Sequence, residues 1–204
     1  KKHPHVTILS DEIYSRQIFD GKEMPTFFNY PELRERLIVL EGWSKAYSMT
    51  GWRVGWLIGN SKVINIAKKI QSHSVSNVSN VSQIAAEAAL TNGLDETMKM
   101  KEAFNRRRLF AIDIFTKTKL MKSNSPQGAF YIYPDVSEIT NGKVIEGVNS
   151  SYDLCNWLLE ELNIAFVPCE AFGTPRFIRC SYDLTDDNLK ELYHINILRY
   201  RRNS

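Results

Sequence analysis

Leu37-Ile38-Val39-Leu40-Glu41-Gly42-Trp43-Ser44-Lys45-Ala46-Tyr47-Ser48-Met49-Thr50-Gly51-Trp52-Arg53-Val54-Gly55-Trp56 is the stretch on which the reading of the whole chain turns. Leu37 to Leu40 is a short apolar run of the length of a buried strand. Lys45 follows just beyond its end. Arg53 comes eight residues later, between Gly51 and Gly55 and flanked by Trp52 and Trp56. A lysine at a strand end among aromatic and small residues can be partly desolvated, and desolvation favours the neutral amine that forms imines. A guanidinium suits a phosphate, because its planar fork donates parallel hydrogen bonds to oxygens. The plainer reading is a surface loop with a solvated lysine and a structural arginine, and for a lone lysine that reading stands.

Spacing carries more than either residue alone. An imine-forming lysine beside a phosphate clamp is the minimum needed to hold pyridoxal phosphate (PLP). Over fourteen positions, Gly42 to Gly55 reads G-W-S-K-A-Y-S-M-T-G-W-R-V-G. This is similar to the lysine motif of the class I and II aminotransferases, the fold-type I PLP enzymes. The resemblance implies that Lys45 binds PLP as an imine and that Arg53 binds its phosphate.

Upstream, Val6-Thr7-Ile8-Leu9 is a β-branched apolar run, read as a strand of a parallel sheet that delivers Asp11 and Tyr14 at its carboxyl end. In open α/β sheets that edge is where ligands bind. Taken alone, Asp11 reads as a helix N-cap. An aspartate so placed can also keep a pyridine nitrogen protonated through a charge-assisted hydrogen bond, worth about 1.5–3 kcal/mol. D-x-x-Y resembles the family's contacts to the pyridine nitrogen and phenolic oxygen, which implies those roles for Asp11 and Tyr14.

The rest of the chain reads as alternating elements. Pro31 to Arg36 is a polar turn or short helix, and Val54 to Gly59 the next strand. Ser61 suits an N-cap for a helix over Val63–Ile70. Gln71 to Ser82 is a Ser/Asn-rich loop, similar to a stretch near the cofactor in the family, with His73 read as a hydrogen-bonded structural histidine. Gln83 to Leu90 is an alanine-rich helix ended by Asn92-Gly93. Asp95 to about Lys117 is a long charged helix with Met100, Phe104, Ala111, Ile114 and Phe115 on one face, and Arg106-Arg107-Arg108 on a solvated one. Pro126 to Pro134 is turn, strand and stop, similar to the family's P-x-G-A-F-Y strand. Tyr152 to Leu162 is an amphipathic helix with Leu154, Trp157, Leu158 and Leu162 inward, and Ile164 to Val167 is a strand. In Arg176 to Tyr182, alternation puts Phe177, Arg179 and Ser181 on one face and Ile178, Cys180 and Tyr182 on the other. Arg179 then needs a partner, either a structural carboxylate or a carboxylate ligand. Arg179-Cys180-Ser181-Tyr182 matches the family's R-x-S-Y, which implies that Arg179 binds the substrate α-carboxylate. Asp186 to Arg199 reads as a closing helix with Leu189, Leu192, Ile195 and Leu198 buried.

Composition sets the remaining bounds. The chain has 204 residues, 43% hydrophobic and 24% charged, with a net charge of +3 that suggests neither a nucleic-acid nor a membrane partner. Cys155, Cys169 and Cys180 have no metal-ligand spacing and read as reduced thiols, so a cytoplasmic location is expected, with an organelle left open. Lys1 in place of Met, and a strand only a few residues on, read as part of a longer protein. Relative to the family, an N-terminal portion with a phosphate-cradling glycine loop and a ring-stacking aromatic is missing.

The expectation is therefore α/β. It comprises the C-terminal part of the PLP-dependent transferase fold, with a partial, mainly parallel sheet flanked by helices (residues 1–98 of the large PLP-binding domain) and a small α+β domain (99–204). The resemblance implies an aminotransferase acting on an L-amino acid, aspartate-like favoured, and a 2-oxo acid. It would work by ping-pong through a Lys45 imine in a homodimer, with this portion alone inactive. A PLP lyase on sulfur amino acids and a non-catalytic module retaining the fold are the alternatives. Two departures bear on detail. Gly42 replaces a serine that binds phosphate in one subgroup, and Glu170 stands where a glycine–serine pair usually follows the proline.

Overall fold

The computed structural model describes residues 2–118 and 120–199; the side chains of 196–199 fall outside the description, and with them the expected burial of Leu198. The chain forms two compact units, Lys1–Lys101 and Glu102–Ser204.

The first unit is built on a three-stranded sheet in the order β1-β2-β3, with β1 Ile8–Asp11, β2 Leu37–Gly42 and β3 Gly55–Gly59. β1 and β2 are parallel, whereas β3 runs antiparallel to β2. The parallel character expected of the sheet thus lies in one pair. Leu37 and Val39 are buried, as expected of their apolar run. The first strand is displaced by two residues from its predicted span, and its Leu9, on the face opposite Ile8 and Ser10, is 62% exposed. Between β1 and β2 the chain turns through Glu12, whose buried carboxylate accepts from Ser10 Oγ, Thr26 Oγ1 and Phe27 N. Pro31–Arg36 forms a 3-10 turn leading into β2.

A one-turn helix, α1 (Trp43–Ala46), follows β2; α2 (Ser61–Ser74) and α3 (Asn80–Asn92) follow β3. Asn60, not Ser61, caps α2, accepting from Lys62 N at 2.9 Å. The predicted loop over 71–82 shrinks to 75–79. Ser72 and Ser74 donate back to the carbonyls of Lys69 and Gln71, so these hydroxyls sit within a helix instead of ending it. His73 is exposed on the last turn of α2 and makes no hydrogen bond among the described residues, contrary to its structural reading. One buried cluster of this unit gathers Trp43, Met49, Val54 and Ala86, while Phe19, Leu37, Val39 and Ala46 are also buried. Ile66, Ile70, Val75, Val81 and Ile84 remain more than 60% exposed on and between α2 and α3.

α4 (Leu94–Thr118) continues the chain into the second unit. There a short antiparallel sheet in the order β4-β6-β5 comprises β4 Tyr131–Ile132, β5 Val167–Pro168 and β6 Ile178–Ser181. Two predicted strands are shorter than expected. Ala129 sits in the left-handed region (φ 57) and Pro134 cannot donate, which confines β4 to two residues. Asn163, also left-handed, ends α5 (Ser151–Leu162) by donating to Leu158 and Leu159, so Ile164 and Phe166 pack in the core instead of pairing. Leu154 and Leu158 of α5 are fully buried, each stabilising the unit by about 1.5–3 kcal/mol. Ile178, Cys180 and Tyr182 face the core as alternation predicted. The closing segment is α6 (Asp186–Lys190) followed by a 3-10 run, with Leu189, Leu192 and Ile195 buried.

The arginine triplet is not a uniformly solvated face. Arg106 and Arg107 clasp Asp186, each at 2.8 Å. Arg108 is only 2% exposed, donating to Asn105 Oδ1 and Pro126 O. Among the described residues no helix is long and apolar enough to cross a membrane.

Two outcomes follow from these groups. The hydrogen bonds from Arg107 and Arg106 hold the Asp186 carboxyl below its ordinary value. Its contribution is therefore complete above the unfolded value of about 3.9 and is lost as pH falls through the lower folded one. Asp186→Asn is expected to flatten the acid limb of stability against pH, read by urea denaturation between pH 2 and 6, and to leave the neutral region's shape unchanged. Burial pushes the Cys155 and Cys180 thiols up to about 12. A disulfide-exchange reagent at neutral pH should react with neither until the chain is unfolded in urea; rapid native labelling of either would contradict that burial.

Candidate active site

Strand register decides which side chains share an edge of the first sheet. Asp11, the last residue of β1, is in register with Leu40 of β2, and Leu40 with Leu57 of β3. At the carboxyl end of β2, Gly42 opposes Gly55, the first residue of β3. Asp11 and Tyr14 leave β1 at that edge, Lys45 follows β2 there, and Arg53 precedes β3 there. Antiparallel β3 is what brings the arginine to the same side as the lysine. The four groups predicted from sequence in this unit thus belong to one sheet edge.

The backbone at that edge is tightly specified. A Cβ on Gly42 would meet Gly55 Cα at 2.9 Å and Val54 O at 3.0 Å, and one on Gly55 would meet Glu41 O at 2.9 Å. The absence of the subgroup's serine at position 42 is therefore dictated by the close approach of two backbones. Trp43 is buried, donating from Nε1 to Ala86 O at 2.9 Å and meeting Trp56 edge-on at 4.6 Å. This anchors α1, so that Lys45 projects from a fixed turn, half-buried. Gln17 Nε2 donates to Lys45 O at 2.8 Å, tying that turn to the loop after β1.

Thr50 Oγ1 donates to Ser44 O and Arg53 Nη1 to Thr50 O, both at 3.0 Å, which links the arginine's turn to the lysine's. Arg53 has left-handed backbone angles (φ 52, ψ 48), an unfavoured conformation for a non-glycine residue. It is exposed, and among the described residues no carboxylate pairs with it. Asp11 is also exposed; its Oδ1 accepts from Ile13 N at 3.2 Å in a local turn instead of capping a helix. Tyr14 is half-buried in that turn, its carbonyl accepting from Gln17 N at 2.9 Å. An amine, a carboxylate, a phenol and a guanidinium along one edge can together hold an aldehyde that carries a basic ring nitrogen and a phosphate.

Arg179 belongs to the second unit, half-buried on β6. Among the described residues it has no carboxylate partner. Its guanidinium lies over the rings of Tyr131 and Phe172, at 4.8 and 5.8 Å. Arg176 pairs instead with Asp135 at 3.5 Å. Sequence reasoning missed Gln17, Trp43 and Thr50 as residues that fix the lysine's turn. Trp43 and Thr50 lay inside the quoted motif, but a backbone acceptor forty-three residues away leaves no mark in local sequence.

Gly42→Ser is expected to destabilise the chain by about 1–3 kcal/mol through overpacking. Gly51→Ala, at an open position with nothing within 4 Å of an added Cβ, should stay within about 0.5 kcal/mol of the parent. Urea denaturation of both variants checks the contrast, and equal effects would contradict the close approach.

The family model for aminotransferase class I and II matches residues 1–195. The aspartate aminotransferase of Streptomyces avermitilis is 43% identical over 187 residues, covering 90% of this chain and 46% of that protein. A probable aspartate/prephenate aminotransferase of Rickettsia bellii is 38% identical over 195 residues, covering 94% and 49%. Among solved structures, the aspartate aminotransferase of Rhizobium meliloti superposes with a TM-score of 0.90 at 34% identity, over 96% of this chain and 50% of that one. The aromatic aminotransferase of Pyrococcus horikoshii gives 0.87 at 27% identity, over 97% and 52%. The α/β fold is thus shared with these enzymes, and the chain spans about half the length of the relatives it matches. With a family match over nearly its whole length, the chain belongs to the class I and II aminotransferases.

Proposed function

We propose that this chain is the C-terminal portion of a PLP-dependent aminotransferase that moves an amino group between an L-amino acid, aspartate-like by its relatives' names, and a 2-oxo acid. The observation that carries the reading is the common sheet edge shared by Asp11, Lys45 and Arg53. Residues 1–98 would be the C-terminal part of the cofactor-binding domain and 99–204 the small domain. The apolar side chains exposed on α2 and α3 would be covered by the rest of the protein or by a second subunit of a homodimer. Reduced thiols suit a cytoplasmic setting.

The donor set fits PLP group by group. Lys45 Nζ would hold its aldehyde carbon, the Asp11 carboxylate its ring nitrogen, the Tyr14 hydroxyl its phenolic oxygen and the Arg53 guanidinium its phosphate. When bound, PLP supplies an electron sink that stabilises negative charge at the substrate's α-carbon. The protein's own residues do the rest. Arg179 binds the α-carboxylate through its free in-plane donors. Lys45 Nζ would serve as the general base that takes the substrate's α-proton and later returns it. The Asp11 carboxylate would accept a hydrogen bond from the protonated ring nitrogen, and the Tyr14 hydroxyl would donate to the phenolic oxygen. Two half-reactions in alternation give ping-pong kinetics.

Borohydride reduction of the PLP-loaded full-length protein, followed by peptide mapping, is expected to place the adduct on Lys45. Lys45→Ala should lose the adduct and lower turnover by at least about 10²–10⁴-fold, the range for removing a general acid–base group. Turnover should require a 2-oxo acid acceptor, and the 204-residue chain by itself should turn over nothing. An adduct mapped elsewhere would sink the lysine assignment; turnover without an acceptor would make the protein a lyase.

A further inference from the structure

We propose that Glu170 is a positioning residue for Arg179, acting through Phe172; this rests on the reading of Arg179 as the carboxylate anchor. The guanidinium of Arg179 has an aromatic wall on each of two elements, and they are held differently. Tyr131 is fixed by the sheet. Its register partner on β6 is Ser181, so Tyr131 is the diagonal neighbour of Arg179 on the same face. Phe172 lies outside the sheet, on the one-turn 3-10 segment Glu170–Phe172, and is 65% exposed. Its place over the guanidinium depends on whatever holds that turn.

Thr174 Oγ1 donates to Cys169 O at 3.3 Å at the head of the turn, and the side chain within the turn that ties it to another element is Glu170. Its Oε1 accepts from Ser151 N at 3.0 Å, Ser151 Oγ at 3.2 Å and Tyr152 N at 3.4 Å, the opening residues of α5. Ser151 is fully buried, so the anchor point is rigid. A carboxylate on the first amides of a twelve-residue helix also meets the positive end of its dipole. On the far side Gly173, left-handed at φ 78, donates to Glu170 O at 2.9 Å and closes the turn. Glu170 therefore ties the turn carrying Phe172 to α5. Glu170 is also where this chain departs from the glycine–serine pair that usually follows the proline in the family it resembles.

A cation held against ring faces keeps its in-plane N–H edge for a ligand, because the faces engage the π side of the guanidinium. With no protein carboxylate on Arg179 among the described residues, that edge is available to the substrate. The tether thus pre-orders a carboxylate site before substrate arrives, and its loss shows in binding and not in the chemical step.

The test is steady-state kinetics of the full-length holoenzyme with Phe172→Leu, Phe172→Tyr, Glu170→Ala, Glu170→Gln, the double variant Glu170→Ala/Phe172→Leu, and Arg179→Lys. Phe172→Leu is expected to raise KM for the amino donor about three- to tenfold, the scale of a partly exposed cation–π contact, with kcat little changed. Phe172→Tyr, which keeps the ring face, should restore the parent KM. Glu170→Ala should reproduce the Phe172→Leu phenotype, and the double variant should be no worse than either single one, since the two residues act in series. Additive effects in the double variant, or an unchanged KM in Phe172→Leu while Arg179→Lys raises it, would overturn the proposal and leave the reading of Arg179 standing. An unchanged KM in Arg179→Lys would overturn both. Should Glu170→Ala fail to fold, Glu170→Gln takes its place in the cycle with the same expectation at smaller amplitude.

Discussion

The approach of two glycines, Gly42 at the end of β2 and Gly55 at the start of β3, is the contact on which the first unit depends. With no Cβ on either residue, the backbones meet at a distance no other pair of residues permits. That contact fixes the register of an antiparallel pair, and the register decides where the segment between the strands begins and ends. The twelve residues between them, which would otherwise be an ordinary surface loop, are closed at both ends by it. Lys45 and Arg53 lie inside this closed segment, so their separation is set by backbone geometry and not by contacts between their side chains. The parallel pairing of β1 then adds Asp11 to the same edge. A sheet of three short strands is enough to bring these groups together because each leaves the sheet at a strand end and none needs a long connection.

What stabilises this arrangement differs between the units. In the second, the core is ordinary: Ile114, Phe115, Leu154, Leu158, Ile178 and Tyr182 are completely buried, and α6 is clasped by Arg106 and Arg107. In the first, the buried cluster beneath the lysine is four residues centred on Trp43, whose indole hydrogen bond to Ala86 replaces bulk packing with one directional contact. An indole that buries a large apolar area while satisfying its single donor is well suited to that task. The helices packed there carry apolar side chains turned to solvent, so this unit has far less burial behind its site than the second unit has behind β6.

How much of this was legible in the sequence follows from the same distinction between local and distant causes. The strand at Leu37–Leu40, the helix over 152–162 and the alternation through Ile178, Cys180 and Tyr182 could be read because period and apolarity are local properties. The fourteen-residue motif identified the family because its chemistry is packed into one continuous segment. Misreadings arose where a partner distant in sequence, or a left-handed residue, overrode local pattern. Ser/Asn richness suggested a loop over 71–82, but hydroxyls bonded to preceding carbonyls are compatible with a helix, and four of those residues continue α2. β4 and β5 fell short because Ala129 and Asn163 take left-handed angles that apolar patterning does not signal. Nor could Gln17, Trp43 or Glu170 have been given these structural roles, since each acts on an atom far along the chain; Glu170 stood out only as a departure from the family's pattern.

Arginines make the point most sharply, because sequence treats them alike and the structure does not. Arg108 stood in a basic triplet that patterning assigned to solvent, yet it is buried and donates to Asn105 Oδ1 and Pro126 O. Arg176 and Arg179 sit three residues apart in one short segment, but only Arg176 has a carboxylate. A guanidinium fully engaged by protein acceptors is structural, since further ligation would mean breaking bonds already made. One held by ring faces, or by a single backbone carbonyl as Arg53 is, keeps donors in hand and is placed to take an anion from outside. By that criterion Arg53 and Arg179 separate from the buried Arg108, but exposed Arg16, over the Tyr47 ring at 5.7 Å, meets it as well, so donor satisfaction alone does not select the two arginines that the motifs selected. What sets Arg53 apart is its place beside Lys45 at one sheet edge, and what sets Arg179 apart is its pair of ring walls on two differently held elements.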